Sequence, residues 1–112
     1  MLPRKVKSTK RPLKILHIDL VGPTTTKGLK GEKYFMLLID DYTRMTAVFF
    51  LKNKSEDFEN FKIYKEMVEN EMDLRIKCLR SNNWGEFTSK EFMDYYNNHG
   101  IKRQFFVART PQ

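Results

Sequence analysis

Asn82 stands at the end of an apolar segment, a place at which a catalytic centre would hold a ligand or a metal. Asp19 comes late in one apolar segment, and Asn82 follows another at the start of a polar, glycine-bearing turn. In α/β sheets, ligands and metals are usually held at such strand ends. Divalent ions such as Mg²⁺ prefer carboxylate oxygens, whereas an asparagine offers one neutral oxygen. A catalytic centre here would need a carboxylate at position 82, so the asparagine argues against one.

The other polar candidates are better explained by structural roles. His17, two residues before Asp19, could touch a substrate or a metal, but a packed strand histidine is favoured. Asp40 and Asp41 suit a tight turn, because aspartate side chains bond to nearby backbone there. Glu86 is expected to form hydrogen bonds within its loop. His99 is expected to be a half-buried histidine at a helix end. Cys78 is expected to be a small buried hydrophobic residue.

The composition limits the protein classes to which the chain could belong. Its 112 residues and 13.5 kDa predict one domain, with 40% hydrophobic residues available for a core. A net charge of +7 and a pI near 9.6 favour an acidic partner, nucleic acid before others. The single cysteine excludes a disulfide or a cysteine-based zinc cluster within these residues. No segment approaches the roughly 20 apolar residues of a membrane helix, so we expect a soluble, intracellular protein.

We divide the chain into a basic N-terminal arm, residues 1–12, and a domain, residues 13–112. The arm lacks acidic residues, includes Pro3 and Pro12, and is expected to be mobile until bound. It could contact phosphates, or it could be a solvated tail or a linker. The residues predicted to bind nucleic acid are Arg4, Lys5, Lys7, Lys10 and Arg11 in the arm and Lys102, Arg103 and Arg109 in the domain.

Hydrophobic periodicity predicts five strands, at residues 13–20, 34–40, 45–51, 75–81 and 101–108. The first strand is apolar on both sides, which is typical of a central strand. The order is strand, strand, strand, helix, strand, helix, strand. A meander followed by helical crossovers implies an α/β fold with a mixed sheet that is parallel after the third strand.

Two helices are predicted between the later strands. The first begins at Ser55, and a second follows a capping box formed by Thr88 and Glu91 and stops at Gly100. Two pairs four residues apart on the first helix are expected to be surface ion pairs. They are Lys62 with Glu66 and Lys65 with Glu69.

Beyond these patterns, the chain resembles the integrase catalytic core of copia-type retrotransposons. The resemblance covers nearly the whole chain after about residue 12 and preserves the order and spacing of several motifs. These are LHIDLVGP (16–23), YF (34–35), IDDYTR (39–44), LRSNN (79–83), GEF (85–87), HGIKRQ (99–104) and TPQ (110–112). The resemblance implies a ribonuclease-H-like fold with a mixed five-stranded sheet, which agrees with the element order above.

The resemblance also implies a polynucleotidyl transferase that holds a pair of Mg²⁺ or Mn²⁺ ions with two Asp and one Glu. Asp19 matches the family's first Asp and is the expected metal ligand. Asn82 stands where the family has its second Asp, and Trp84 stands where it has a glycine. The third acid, a Glu on a C-terminal helix, would lie beyond Gln112 and is absent from this sequence. The chain is therefore expected to be a partial core without catalytic activity.

Three functions remain open from the sequence. The first is the family's role, DNA integration, performed by a longer parent protein. The second is a basic, non-catalytic nucleic-acid-binding module, and the third is a structural remnant without a selected activity. The family role further implies DNA as the partner, a homodimer through the core and a nuclear location.

Overall fold

The described part of the chain forms five strands and two α-helices in the predicted order. The computed structural model describes residues 10–25, 28, 30–83 and 85–105, the last residue by its backbone alone. The strands are β1 (Ile15–Val21), β2 (Tyr34–Asp40), β3 (Thr46–Leu51), β4 (Cys78–Ser81) and β5 (Lys102–Phe105). The helices are α1 (Asp57–Met72), which follows a 3₁₀ turn (Lys54–Glu56), and α2 (Lys90–His99). Neither α-helix is long and apolar enough to cross a membrane, as judged over the described ranges.

The strands form one mixed sheet in the order β3-β2-β1-β4-β5. β2 pairs antiparallel with β1 and β3, whereas β4 pairs parallel with β1 and β5. β1 is therefore central, as its two-sided apolar pattern predicts. Because β1 and β4 are parallel neighbours, their carboxyl ends, which carry the candidate residues, meet at one edge of the sheet.

The hydrophobic core lies on the sheet face that both helices cover. Successive strand side chains alternate between faces, which puts Leu16, Met36 and Leu38 on this face, and all three are fully buried. Phe61 of α1 and Phe92 of α2 pack on them, with ring centroids 5.8 Å apart. Burying such an aromatic side chain contributes about 1.5–3 kcal/mol. The helix-covered face thus stabilises the sheet that positions the site.

The opposite sheet face, which we call the open face, carries His17 and Asp19 of β1 together with Arg80 of β4. Apolar side chains on the same face stay exposed towards β3, with Phe50 at 69%. The candidate residues therefore lie on the face opposite the two described helices.

The start of α1 differs from the prediction. Ser55 lies inside the 3₁₀ turn, and the helix proper begins at Asp57 with Glu56 as its N-cap. Ser55 lies within the helical segment and not before it, since the residue with the extended backbone that precedes this segment is Asn53. Instead, the Glu56 carboxylate accepts a hydrogen bond from the Lys52 backbone N–H at 3.2 Å.

The predicted capping box of α2 is wrong by one residue. Ser89, with an extended backbone, caps the helix by accepting a hydrogen bond from the Phe92 N–H at 3.3 Å. Thr88 has no such role, since the helix starts one residue later than its pattern suggests. Gly100 ends the helix with φ 65°, a left-handed conformation that suits glycine, as predicted.

The ion pairs on α1 also differ from the prediction. Lys65 pairs with Glu69 as expected, at 2.9 Å, but Lys65 is only 5% exposed and is not a surface residue. Lys62 pairs with Glu59, one helical turn towards the N-terminus, at 3.2 Å rather than with Glu66. The burial of Lys65 follows from its position facing the Tyr95 ring, 5.6 Å from its centroid.

Candidate functional site

Asp19 and Asn82 are brought together at the carboxyl ends of β1 and β4. The parallel register pairs His17 with Arg80, and its continuation by two residues aligns Asp19 with Asn82. Both residues line a cleft of about 290 Å³ on the open face. The other residues that line this carboxyl-end cleft are His17, Ile18, Leu37, Ile39, Arg44, Arg80 and Ser81. The structure thus places the two matched positions at one site.

Asp19 and Asn82 differ in their surroundings. Asp19 is half-buried, and its Oδ1 accepts a hydrogen bond from the Leu20 N–H at 3.0 Å. Asn82 is exposed at the start of the turn that follows β4. The turn is held by Asn83, whose N–H bonds to Ser81 Oγ and whose Oδ1 accepts from the Gly85 N–H. Trp84 lies outside the described residues.

Glu86 is a half-buried carboxylate close to this site. Its Oε2 lies 3.5 Å from Lys54 Nζ, and its side chain is 13% exposed. Its Oε1 is buried and has no hydrogen-bond partner among the described residues. Burial raises the pKa of Glu86, Lys54 opposes that rise, and the charge of Asp19 adds to it. Glu86 is therefore paired with the 3₁₀ turn before α1, and not with its own loop as predicted.

Asp40 and Asp41 at the β2–β3 turn have separate roles. The buried Asp40 carboxylate accepts hydrogen bonds from the backbone N–H groups of Leu13, Tyr42 and Thr43, at 2.6, 3.1 and 2.7 Å. The predicted turn role is confirmed for Asp40. Asp41 Oδ1 instead lies 2.7 Å from His17 Nε2. His17 is accordingly the half-buried strand histidine that the sequence favours.

The remaining two candidates have structural roles. Cys78 is buried, as predicted, and burial raises the pKa of its thiol. His99 is exposed, so the prediction that it is half-buried is wrong. It lies in the last turn of α2 and stacks on Tyr95, with ring centroids 3.9 Å apart. Its Nδ1 lies 3.0 Å from the Tyr95 carbonyl oxygen. These contacts match a helix-end histidine.

The donor set at the carboxyl-end cleft does not fit a pair of divalent ions. Asp19 is the one carboxylate among the described residues that line it. No group of three or more His, Cys, Asp or Glu side chains in the described part of the chain is arranged to hold a metal. Two divalent cations held close together need several negative oxygens. Asp19 and Asn82 supply one carboxylate and one neutral amide oxygen.

The predicted nucleic-acid-binding residues fall in different places. Arg11 and Lys102 line one cleft at the amino ends of β1, β4 and β5. Arg103 lies on the helix-covered face, where its guanidinium is 5.3 Å from the Tyr96 ring centroid. Lys10 is exposed. The other predicted residues lie outside the described ranges, and they are Arg4, Lys5, Lys7 and Arg109.

Sequence reasoning missed three basic residues at these clefts. Arg44 and Arg80 line the carboxyl-end cleft beside Asp19, and Lys77 lines the cleft of Arg11. Strand alternation could have found Arg80, because position 80 shares a face with its register partner, position 17. Arg44 could not be found in this way, since it lies in a turn with φ 68°.

Comparison with known proteins connects this site to a family. Residues 9–111 match the family model described as integrase core domain. The retrovirus-related Pol polyprotein from transposon TNT 1-94 of Nicotiana tabacum is 41% identical over 108 residues. The Pol polyprotein from transposon RE2 of Arabidopsis thaliana is 32% identical over 105 residues. Each match covers 94% of this chain, which spans 8% and 7%, respectively, of the two polyproteins.

Solved structures agree with the sequence matches at the level of the fold. The catalytic core domain of HTLV-2 integrase in complex with magnesium, in a trimeric form, matches with a TM-score of 0.64 and 19% identity. The match covers 85% of this chain and 60% of that one. A dimeric form of the same core gives 0.62 and 16%. The sheet is thus the ribonuclease-H-like sheet of integrase cores, and the chain belongs to the integrase core domain family.

Proposed function

We propose that this chain is the sheet-bearing segment of a retrotransposon integrase core, of the copia type, whose parent protein carries out DNA integration. We further propose that the chain by itself does not catalyse strand transfer. The observation that supports this is the alignment of Asn82 with Asp19 at adjacent strand ends. An amide occupies the place at which metal-dependent transfer requires a second carboxylate.

The physical reason is the charge at the site. Phosphodiester attack through two metal ions needs one ion to activate the nucleophile and another to stabilise the leaving oxygen. Each ion carries two positive charges, so the pair repels strongly unless carboxylates lie between and around them. Asp19 supplies one such group, and Arg44 and Arg80 add positive charge to the same cleft. Mg²⁺ or Mn²⁺ is therefore expected to bind this chain weakly and as a single ion.

The test is a nicking and strand-transfer assay with a labelled DNA duplex in the presence of Mg²⁺ or Mn²⁺. We expect no activity in the unmodified chain and none in Asn82→Asp alone, because the family's third acid is still needed. Measurable metal-dependent activity in the unmodified chain would contradict the proposal. Robust nicking by Asn82→Asp would overturn the argument about the third acid.

The second candidate function is non-catalytic nucleic-acid binding, which the net charge of +7 favours. Binding through phosphates predicts an affinity for duplex DNA that falls steeply as salt is raised. A structural remnant predicts little binding even at low salt. Filter binding of one DNA duplex over a series of salt concentrations separates the two.

Two further features of the family role are proposals for this chain. Action on genomic DNA would place the protein in the nucleus. Self-association through the core is proposed because a related core has been solved in dimeric and trimeric forms. Sedimentation of the purified chain over a concentration series tests this association.

A further inference from the structure

A second cleft, which we call the amino-end cleft, lies at the opposite end of the parallel strands from Asp19. Its volume is about 570 Å³. Ile15 and Cys78, both buried, form an apolar floor at the starts of β1 and β4. Four basic side chains surround this floor, together with Gly100 and Gln104, and they are Arg11, Lys14, Lys77 and Lys102.

Backbone hydrogen bonds fix the strand starts from which these basic side chains extend. The Lys77 N–H donates to the Leu13 carbonyl at 3.3 Å, and the Lys102 N–H donates to the Lys77 carbonyl at 2.9 Å. The Arg11 guanidinium is held by the carbonyl oxygens of Pro12 and Arg75, at 2.7 and 3.1 Å. Three adjacent strand starts and the segment before β1 therefore contribute basic residues to one cleft.

The charges of this cleft are not neutralised by the part of the chain that the structure describes. No carboxylate is among its lining residues, and Lys14, Lys77 and Lys102 are exposed and form no ion pair with the described residues. Lys30 and Lys52 are likewise exposed without an ion pair to a described residue. Four other lysines pair with a carboxylate within 3.5 Å, and they are Lys54, Lys62, Lys65 and Lys90. Clustered cations that repel one another without a counter-charge are suited to an anionic ligand.

The extent of the cleft favours a chain of phosphates over a single anion. Three adjacent strands span about 10 Å across a sheet, since neighbours lie about 4.8 Å apart. That is the axial length of about three nucleotides in one strand of a duplex. Ile15, in the floor of this cleft, lies about 13 Å from Asp19 by the rise of four strand residues, so a ligand bound at the strand starts need not occupy the carboxyl-end cleft.

We propose that the amino-end cleft binds the phosphate backbone of nucleic acid, as a site separate from the one beside Asp19. The proposal extends the proposed DNA role and rests on its nucleic-acid binding, but it does not depend on whether the chain is catalytic. Phosphate contacts of this kind position a nucleic acid without reading its sequence. The cleft would therefore hold DNA of any sequence at the end of the sheet opposite the candidate metal ligand.

The test compares two triple variants with equal net charge by fluorescence anisotropy of a labelled duplex over a salt series. The cleft variant is Lys14→Gln, Lys77→Gln and Lys102→Gln. The control variant is Lys30→Gln, Lys52→Gln and Lys90→Gln, which changes exposed lysines elsewhere. We expect the cleft variant to bind at least about tenfold more weakly near 0.1 M salt and to lose about two to three units of salt slope. The control should lose less than about threefold.

An arginine variant and a competition experiment distinguish the remaining explanations. Replacing the same three cleft lysines by Arg keeps the charge and should keep the affinity, which separates lost contacts from lost folding. Inorganic pyrophosphate at equal phosphate concentration should not displace the duplex; full displacement would assign the cleft to small phosphates. Equal losses in the cleft and control variants would overturn the proposal. The nicking assay is independent, since catalysis in the unmodified chain would contradict its proposed inactivity and leave the cleft result intact.

Discussion

Asn82 follows β4 at the level at which Asp19 lies in β1, so an amide and a carboxylate face one cleft from adjacent parallel strands. Asp19 gives this cleft one carboxylate, and Asn82 gives it a neutral amide. Glu86 is close enough for the charge of Asp19 to raise its pKa, but its carboxylate is paired with Lys54. The metal affinity of the cleft should thus depend on the residue at position 82.

The first prediction concerns that dependence. Asn82→Asp adds a second carboxylate opposite Asp19 and should tighten Mn²⁺ binding at least about tenfold, as one added close charge can. Isothermal titration calorimetry measures the change. Asn83→Asp is the matched control, because it adds the same charge one residue away and can still accept the bond from the Gly85 N–H. Equal tightening in both variants would show that position 82 has no special place in the site.

The second prediction concerns stability and pH at Asp57. Burial, opposed by the backbone N–H of Phe58 and reinforced by Glu86, raises the pKa of Asp57 from 3.8 to about 6. The Asp57 carboxyl thus ionises at lower pH in the unfolded chain than in the folded chain. Its contribution to the stability of the fold therefore falls as the pH rises from about 4 to about 6. Allowing for solvent screening of a half-buried group, the loss is about 1 kcal/mol.

Asp57→Asn removes this titration. The free energy of unfolding of the variant, relative to that of the parent, should therefore be about 1 kcal/mol higher at pH 7 than at pH 4. Urea unfolding at both pH values measures the difference. The control is Glu59→Gln in the same first turn of α1, since Glu59 is 72% exposed. The difference in free energy of unfolding between Glu59→Gln and the parent should be the same at both pH values within about 0.5 kcal/mol. An increase with pH equal to that of Asp57→Asn would assign the effect to general surface charge.

The sequence predicted the sheet and its connections because strand alternation and helical periodicity act over short stretches. β2 was predicted with its observed bounds, and β1 was predicted to be central from its two apolar sides. The assignment of Asp19 and Asn82 to one site came from the family resemblance and stays a prediction, although both residues line the carboxyl-end cleft. The helix starts were less accurate, because Ser55 and Thr88 both resemble caps and only the surrounding turn decides which residue is extended.

Interactions between distant segments could not be predicted in this way. Lys65 was expected at the surface because its spacing to Glu69 suits an exposed pair, but the packing of α2 beside α1 buries it near Tyr95. The amino-end cleft likewise joins Arg11, Lys77 and Lys102 from three separate segments. A single sequence does not show which distant cations will share a surface.

The third prediction tests the buried ion pair. Glu69 accepts from Lys65 Nζ at 2.9 Å and from the Ile76 N–H at 2.8 Å. Glu69→Ala leaves a buried ammonium and a backbone donor without partners, so it should destabilise the fold by about 3 kcal/mol. Thermal unfolding measures this loss. Glu59→Ala breaks only the exposed pair with Lys62 and should cost less than about 1 kcal/mol; similar costs would mean that burial adds nothing.

The fourth prediction concerns Asp40, which joins the β2–β3 turn to the segment before β1. Its buried carboxylate accepts three backbone N–H groups, among them that of Leu13, a residue held at φ 67°. Asp40→Ala leaves these donors unsatisfied and should cost about 3 kcal/mol, whereas Asp40→Asn keeps one acceptor oxygen and should cost less.

Hydrogen exchange gives a readout specific to this connection. In Asp40→Ala, the amides of Leu13, Tyr42 and Thr43 should exchange faster than those of α2, because local opening costs less once the shared acceptor is gone. Asp94→Ala, which removes an exposed carboxylate on α2, should leave the exchange of these three amides unchanged. Uniform acceleration across the chain in Asp40→Ala would mean that the carboxylate stabilises the fold as a whole and does not specifically hold the turn against β1.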